Sequence, residues 1–269
     1  MNRNVAVWWM AFLLGWGTET LLARDIAAQA SDIAVWSQND GSIRRIVCSR
    51  KGADGNWESP VVLSRDDGQH VTPSIAKAAD GTIWVIWTTL TSDGPRFTFA
   101  RSEADGWSRP ETLPTGMRSN TAPCIWVDEE GLLWIVWAGN NGGNDDIFVM
   151  RGDGGTWSSA ERIHSVNNVP DVLPAIEAGP NGMPQVKWSR FSNGSYRTFI
   201  SIWQGSSWST PVEAGLEALP VSSDRSIDLP QAVDDPNKAV VLEEGKAQGL
   251  SLRNRYFMFQ KRLDGLNRK

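Results

Sequence analysis

The chain has 269 residues and carries 26 Lys and Arg against 31 Asp and Glu, a formal net charge of -5. That length is enough to bury a sizeable core in one large domain, and the acidic balance excludes the basic face that DNA or RNA binding requires. Tryptophan is the compositional anomaly, with 15 Trp against 8 Phe and 2 Tyr.

The chain opens on Arg3 followed by an apolar run from Val5 to Gly17, interrupted by Thr18 and Glu19. Such a run is short for a bilayer span and has the build of a signal segment. Residues 1–30 are therefore read as a signal peptide. Ala28-Gln29-Ala30 offers a small-x-small cleavage site, with cleavage nearer Ala23 or an uncleaved anchor as the alternatives. The mature protein is expected to be exported, to the periplasm or outside the cell, and not to span a membrane.

Residues 31–269 are read as one domain of tandem repeats. Trp57, Trp107, Trp157 and Trp208 recur every 50 or 51 residues, and so do Trp36, Trp87, Trp137 and Trp188. A third series, Pro73, Pro123, Pro174 and Pro230, opens an apolar run in each unit. Each unit divides into four short strands, A to D. In the second unit these are Ser74–Ala78, Ile83–Trp87, Arg96–Ser102 and Trp107–Leu113. Asp80-Gly81, Glu130-Gly131 and Asn181-Gly182 supply the positive φ that tight A–B hairpins need. Four antiparallel strands repeated at this period make an all-β fold, a β-propeller. Five blades are expected, centred near Trp36, Trp87, Trp137, Trp188 and Leu242. The fifth lacks its Trp, and the first has no evident strand A. Cys48 and Cys124 fall inside apolar strand patterns and read as buried thiols rather than a disulfide.

In such a meander the A–B and C–D turns share one face, and the B–C and D–A loops share the other. A ligand site is expected on the latter. Three residues before the repeat Pro stand His70, Asn120, Asp171 and Ile227, with Asp228 beside the last. A polar ring of His70, Asn120, Asp171 and Asp228 near the central channel suits a hydroxyl-rich ligand such as a sugar, while Asn and Asp in this place also cap the turn into a strand. A second series, Arg45, Arg96, Arg197 and Arg255, opens strand C, with Asp146 in its place in the third unit. These Arg could hold an anionic group or pair with nearby carboxylates. The loop Gly139–Asp146 carries Asn and Asp oxygens of the kind calcium takes, but without the spacing of a specific calcium loop, so no cofactor is expected.

The C–D turns read Ala53-Asp-Gly-Asn-Trp57, Ala104-Asp-Gly-Trp107, Gly152-Asp-Gly-Gly-Thr-Trp157 and Gly205-Ser-Ser-Trp208. These resemble the Asp box of sialidase-like (BNR-repeat) propellers, over residues 31 to about 265. The resemblance implies the fold, with Asp capping its own turn, Gly taking positive φ and Trp packing between blades. For activity it implies a carboxylate-binding Arg triad, a Tyr–Glu nucleophile and an Asp acid/base. The Phe/Tyr-Arg-Ile-Pro motif of that family is absent. Tyr196 and Tyr256 are the two tyrosines, and Asp66 or Asp67 falls in the acid/base region. The leading expectation is thus a non-catalytic exported propeller that binds a glycan or a protein through its B–C and D–A loop face. The alternatives are a sialidase-like glycosidase acting on extracellular sugars and a scaffold module of an envelope assembly.

Overall fold

The computed structural model describes residues 33–214, 229–234, 239–243 and 246–248. The signal segment, Asp228, Arg255 and Tyr256 lie outside them. The described residues are all-β apart from one 3-10 turn at Pro180–Gly182, and they form four antiparallel sheets.

The second blade contains β4 (Gln69–Lys77), β5 (Ile83–Thr91), β6 (Gly94–Glu103), β7 (Gly106–Trp107) and β8 (Glu111–Thr112). The third runs β9 (Ser119–Val127), β10 (Leu133–Asn140), β11 (Asp146–Gly152) and β12 (Glu161–Arg162). The fourth runs β13 (Asp171–Ala178), β14 (Pro184–Ser192), β15 (Ser195–Ile202) and β16 (Val212–Glu213). The first blade is assembled from both ends of the domain. Its order is β18 (Lys246–Gln248), β17 (Ala239–Glu243), β1 (Ile33–Asn39), β2 (Arg44–Arg50) and β3 (Val61–Val62).

The propeller expected from the sequence is therefore present, with one change of membership. Ala239–Glu243, expected at the centre of a fifth blade, instead pairs antiparallel with β1, Val35 opposite Val240 and Ala34 opposite Val241. It supplies the inner strand that the first repeat lacks. Without it β1 would present a row of unpaired backbone groups, and a five-residue apolar strand satisfies them. The inner strands of neighbouring sheets lie side by side, β4 beside β9 and β9 beside β13.

Trp36, Trp87, Trp137 and Trp188 are fully buried, and their apolar neighbours on strand B fill the space between sheets. The outer Trp series packs each blade onto the preceding one. Trp157 meets Phe99 edge to face at 5.4 Å, and Trp208 meets Trp134 at 6.1 Å. The C–D turns behave as the Asp-box resemblance implies. Asp153 accepts the Gly155 and Thr156 amides at 2.9 and 2.7 Å, and Asp54 accepts the Asn56 amide at 3.0 Å. Gly154 sits at φ +89°, and a Cβ there would run into the Trp84 ring. The motif joins blades.

Strand A begins earlier than its apolar run indicated. In β4, β9 and β13 the ladder continues to Gln69, Ser119 and Asp171, past a register shift near the repeat Pro. At each shift the residue before Pro is left-handed: Thr72 at φ +52°, Ala122 at +53° and Leu173 at +55°. Pro has no amide to donate, so it fits a bulge. The bulge carries the three residues ahead of it, including His70, Asn120 and Asp171, into the sheet.

Candidate ligand-binding site

That placement decides what the polar ring does. His70, Asn120 and Asp171 occupy equivalent positions and are 1%, 1% and 0% exposed. Two of them receive the indole N–H of the strand-B Trp of their own blade. Trp87 donates to His70 Nδ1 at 3.1 Å, and Trp188 donates to Asp171 Oδ1 at 2.7 Å. In the third blade Asn120 Nδ2 donates instead to the carbonyls of Pro95 and Met117, leaving Asn120 Oδ1 and Trp137 Nε1 both buried without a partner. The ring thus faces into the blades, and the channel-lining role proposed for it from the sequence does not match this burial.

The strand-C arginines are satisfied locally. Arg45 bonds Asp40 at 2.9 Å and the Asp66 carbonyl at 3.1 Å; Arg96 pairs with Asp93 at 3.1 Å, and Arg197 with Glu213 at 3.4 Å. Among the described residues Arg45, Arg96 and Arg197, paired in this way, form no common anion site.

Between the third and fourth blades the polar groups condense into a buried network that sequence spacing gave no means of finding. Arg190 grips Asp171 in bidentate fashion at 2.7 and 3.0 Å, and Asn167 donates to the same carboxylate at 3.0 Å. Asp146, where the other repeats place Arg, pairs with Arg162 at 3.1 Å. Burial pushes the Asp146 carboxyl up, with Arg162 and His164 pulling the other way. His164 donates from Nδ1 to the Ser165 carbonyl at 2.9 Å and accepts the Ile147 amide on Nε2 at 3.2 Å. Asp146, His164 and Asp171 lie close enough to share a cation. Of their facing atoms, Asp171 Oδ2 accepts from Arg190 and Asn167, Asp146 Oδ1 accepts from Asn144 at 3.4 Å, and His164 Nε2 accepts the Ile147 amide. Arg162 Nε stands beside Asp146 Oδ2 without a hydrogen bond. The two carboxylates are thus each matched by one guanidinium. The Gly139–Asp146 loop is likewise tied internally, with Asn140 bonding the Gly143 carbonyl and Asp145, and Asn144 bonding the Val169 carbonyl.

The Tyr nucleophile implied by the sialidase-like resemblance finds little support at Tyr196. Burial, and then the nearby Asp145 charge, raise its hydroxyl above the ordinary tyrosine value. An activated phenolate requires the opposite.

Between the first and second blades the same positions border a small cavity, with His70 itself still buried. Ser64, Arg65, Asp66, His70, Trp87, Thr98 and Pro110 line a pocket of about 210 Å3. Its walls come from the D–A connection after β3 and from the B–C ends of β5 and β6, so it lies on the loop face. Because Trp87 donates to Nδ1, the neutral His70 ring carries its proton on Nε2. Nε2 lies 2.9 Å from Asp66 Oδ1 yet makes no hydrogen bond, because that oxygen sits off the N–H axis. Asp66 Oδ1 caps the Gly68 amide at 2.7 Å, and its side chain is 68% exposed. A buried N–H donor and an exposed carboxylate therefore meet in one small cavity, beside the Thr98 hydroxyl. Sequence reasoning picked out both His70 and Asp66, but for separate roles. The missing signal was the Trp87 bond that orients the ring.

No protein-family model and no curated protein matches this sequence. Among solved structures the chain is similar to a protein of unknown function from Dyadobacter fermentans, at 15% identity and a TM-score of 0.52, over 65% of this chain and 60% of that one. It is also similar to an endo-arabinase from Bacteroides thetaiotaomicron, at 13% identity and a TM-score of 0.47, over 65% and 72%. A thermostable family-43 glycoside hydrolase is 12% identical with a TM-score of 0.47, over 74% and 76%. The chain spans about 60% of the length of the Dyadobacter protein. At these identities the likeness is one of fold, and the fold is the β-propeller.

Proposed function

We propose that this protein is an exported, non-catalytic propeller that binds a glycan through its B–C and D–A loop face, at the pocket between the first two blades. The observation that carries the proposal is the exposed acceptor and donor pair of the pocket lining, the Asp66 carboxylate and the Arg65 guanidinium. Such a pair serves a ligand rich in hydroxyls, each of which can both donate and accept. Export rests on the apolar N-terminal run. Among the described residues no helix is long and apolar enough to cross a membrane.

Glycosidases other than the Tyr-nucleophile sialidase type use two carboxyl groups about 5–9.5 Å apart across the scissile bond. The pocket lining contributes one, Asp66. The buried Asp146 and Asp171 are held by Arg162 and Arg190. Binding is therefore the better supported reading. A glycan-array screen with the mature protein tests it, run beside an assay with fluorogenic glycosides. Retention of a defined subset of glycans without turnover is the expected outcome. Turnover would establish the hydrolase alternative, and silence in both assays would leave the scaffold reading.

A further inference from the structure

We infer that His164 is a proton-operated switch at the seam between the third and fourth blades, trading a strand amide for a carboxylate when its ring takes up a proton. The inference stands apart from the glycan reading and holds or fails without it. Ser64 and His164 follow the fourth strand of their blades at equivalent positions, and each receives a strand-C amide. Ile46 donates to Ser64 Oγ at 3.1 Å, and Ile147 donates to His164 Nε2 at 3.2 Å. A hydroxyl always has a lone pair to offer, whereas imidazole Nε2 has one only while it carries no proton.

The Ser165 carbonyl, 2.9 Å from Nδ1, can only accept, so the neutral ring carries its proton on Nδ1 and leaves Nε2 to the Ile147 amide. On the other side of the same nitrogen stands Asp171 Oδ2, also at 3.2 Å, with Asp146 Oδ1 at 3.9 Å. One atom thus faces two partners with opposite demands. A proton on Nε2 decides for the carboxylate and leaves the Ile147 amide without its acceptor. The charges facing the ring are Asp146 on β11, Arg162 on β12, Asp171 on β13 and Arg190 on β14. With the ring neutral these two carboxylates and two guanidinium groups balance, and an imidazolium adds an unmatched positive charge. Burial pushes the Asp146 carboxyl up, so in acid it gives up its charge before an ordinary carboxylate does, and Asp171 is left to hold the imidazolium. Asp171 Oδ2 already accepts from Arg190 and Asn167, each at 3.0 Å. The new donor competes with Asn167, whose Oδ1 holds the Val169 amide at 2.8 Å, while the Val169 carbonyl holds Asn144 at 2.7 Å. Protonation therefore loosens both the start of β11 and the D–A loop at residues 167–169.

The chain has two histidines, so isotope-labelled histidine gives two ring spectra, assigned through their sequence neighbours. A titration of the mature protein from about pH 8 to 5, the range in which imidazoles change charge, reads the protonation of each ring nitrogen. Hydrogen exchange of the Ile147 amide is followed in parallel and corrected for its intrinsic rate. The expected result is a bare Nε2 at the alkaline end, and Ile147 exchange about tenfold or more faster once Nε2 is protonated. Three results would overturn the inference: an Nε2 proton already present at the alkaline end, a ring still neutral at the acid end, or a protonated ring with Ile147 protection unchanged. All three are read on the unsubstituted chain, so none depends on a variant folding. His164→Ser installs the hydroxyl cap of the first blade, and its Ile147 protection should no longer follow pH; an unaltered pH response in that variant would also contradict the switch.

Discussion

Trp87, Trp137 and Trp188 hold the same place in three blades but differ in what receives the indole N–H. His70 and Asp171 accept it in two of them, and Trp137 Nε1 has no partner. The consequence is measurable. Replacing Trp188 with Phe removes a donor from the buried Asp171 carboxylate, and the lost bond adds about 1–3 kcal/mol to the shared cost of lost volume. Replacing Trp137 with Phe removes a donor that was already unsatisfied. Urea denaturation should show Trp188→Phe to be the more damaging by about that margin; equal losses would mean that the indole bond to Asp171 contributes nothing. Cys48 gives a second test at this scale. Burial pushes its thiol up to about 12 from an ordinary 9.0, against the opposing pull of Arg50 and a hydrogen bond with Trp107. Because the folded pKa is the higher, the folded chain keeps its proton where the unfolded chain has lost it. Stability is therefore complete below about pH 9 and declines between about 9 and 12. A Cys48→Ala variant should lose less stability than the parent across that window, and native Cys48 should resist a thiol reagent at pH 8 until denaturant is added.

At the scale of elements, the repeat spacing located the strands well, because period and turn chemistry are local properties. Asp80-Gly81 and the strand-B runs were legible for that reason. The bulge was not. Nothing in the sequence around Thr72-Pro73 announces a left-handed residue before a proline, which ordinarily favours extended backbone, and the strain is held by the surrounding ladder. Missing the bulge put His70, Asn120 and Asp171 on loops when they belong to strands. The partner of β17 was equally illegible, since an apolar strand carries no label for the sheet that will take it. Pairing of β17 with β1 predicts a cross-link. Ala34 faces Val241 across the ladder, at the ~4.5–5.5 Å Cα spacing of antiparallel pairs that a disulfide can bridge. An Ala34→Cys/Val241→Cys protein should oxidise in air to a faster-migrating band on non-reducing gels. Two thiols that stay separately reactive in the folded protein would point back to an independent fifth blade.

Across the whole molecule, the fold and the site answer to different parts of the sequence. The Trp series specifies blades because it fills the space between them, and for that reason it tells little about ligands. The proposed site lies where equivalent positions diverge. Ser64, Pro114 and His164 follow the fourth strand in successive units, and the interfaces around them come out respectively as a small pocket, an apolar seam with two unpaired polar atoms, Asn120 Oδ1 and Trp137 Nε1, and a buried ion cluster. The two faces were legible from the meander alone, since alternating turns must alternate faces. Which interface opens on the loop face was not, because it depends on whether Arg and Asp partners are at hand to close it. The account therefore stands on the loop face between the first two blades. Hydrogen–deuterium exchange with and without a saturating array hit tests it most directly. Protection gained at residues 64–70 and 96–98 is the predicted result, and protection gained instead at the C–D turns, residues 53–57 and 152–157, would contradict it.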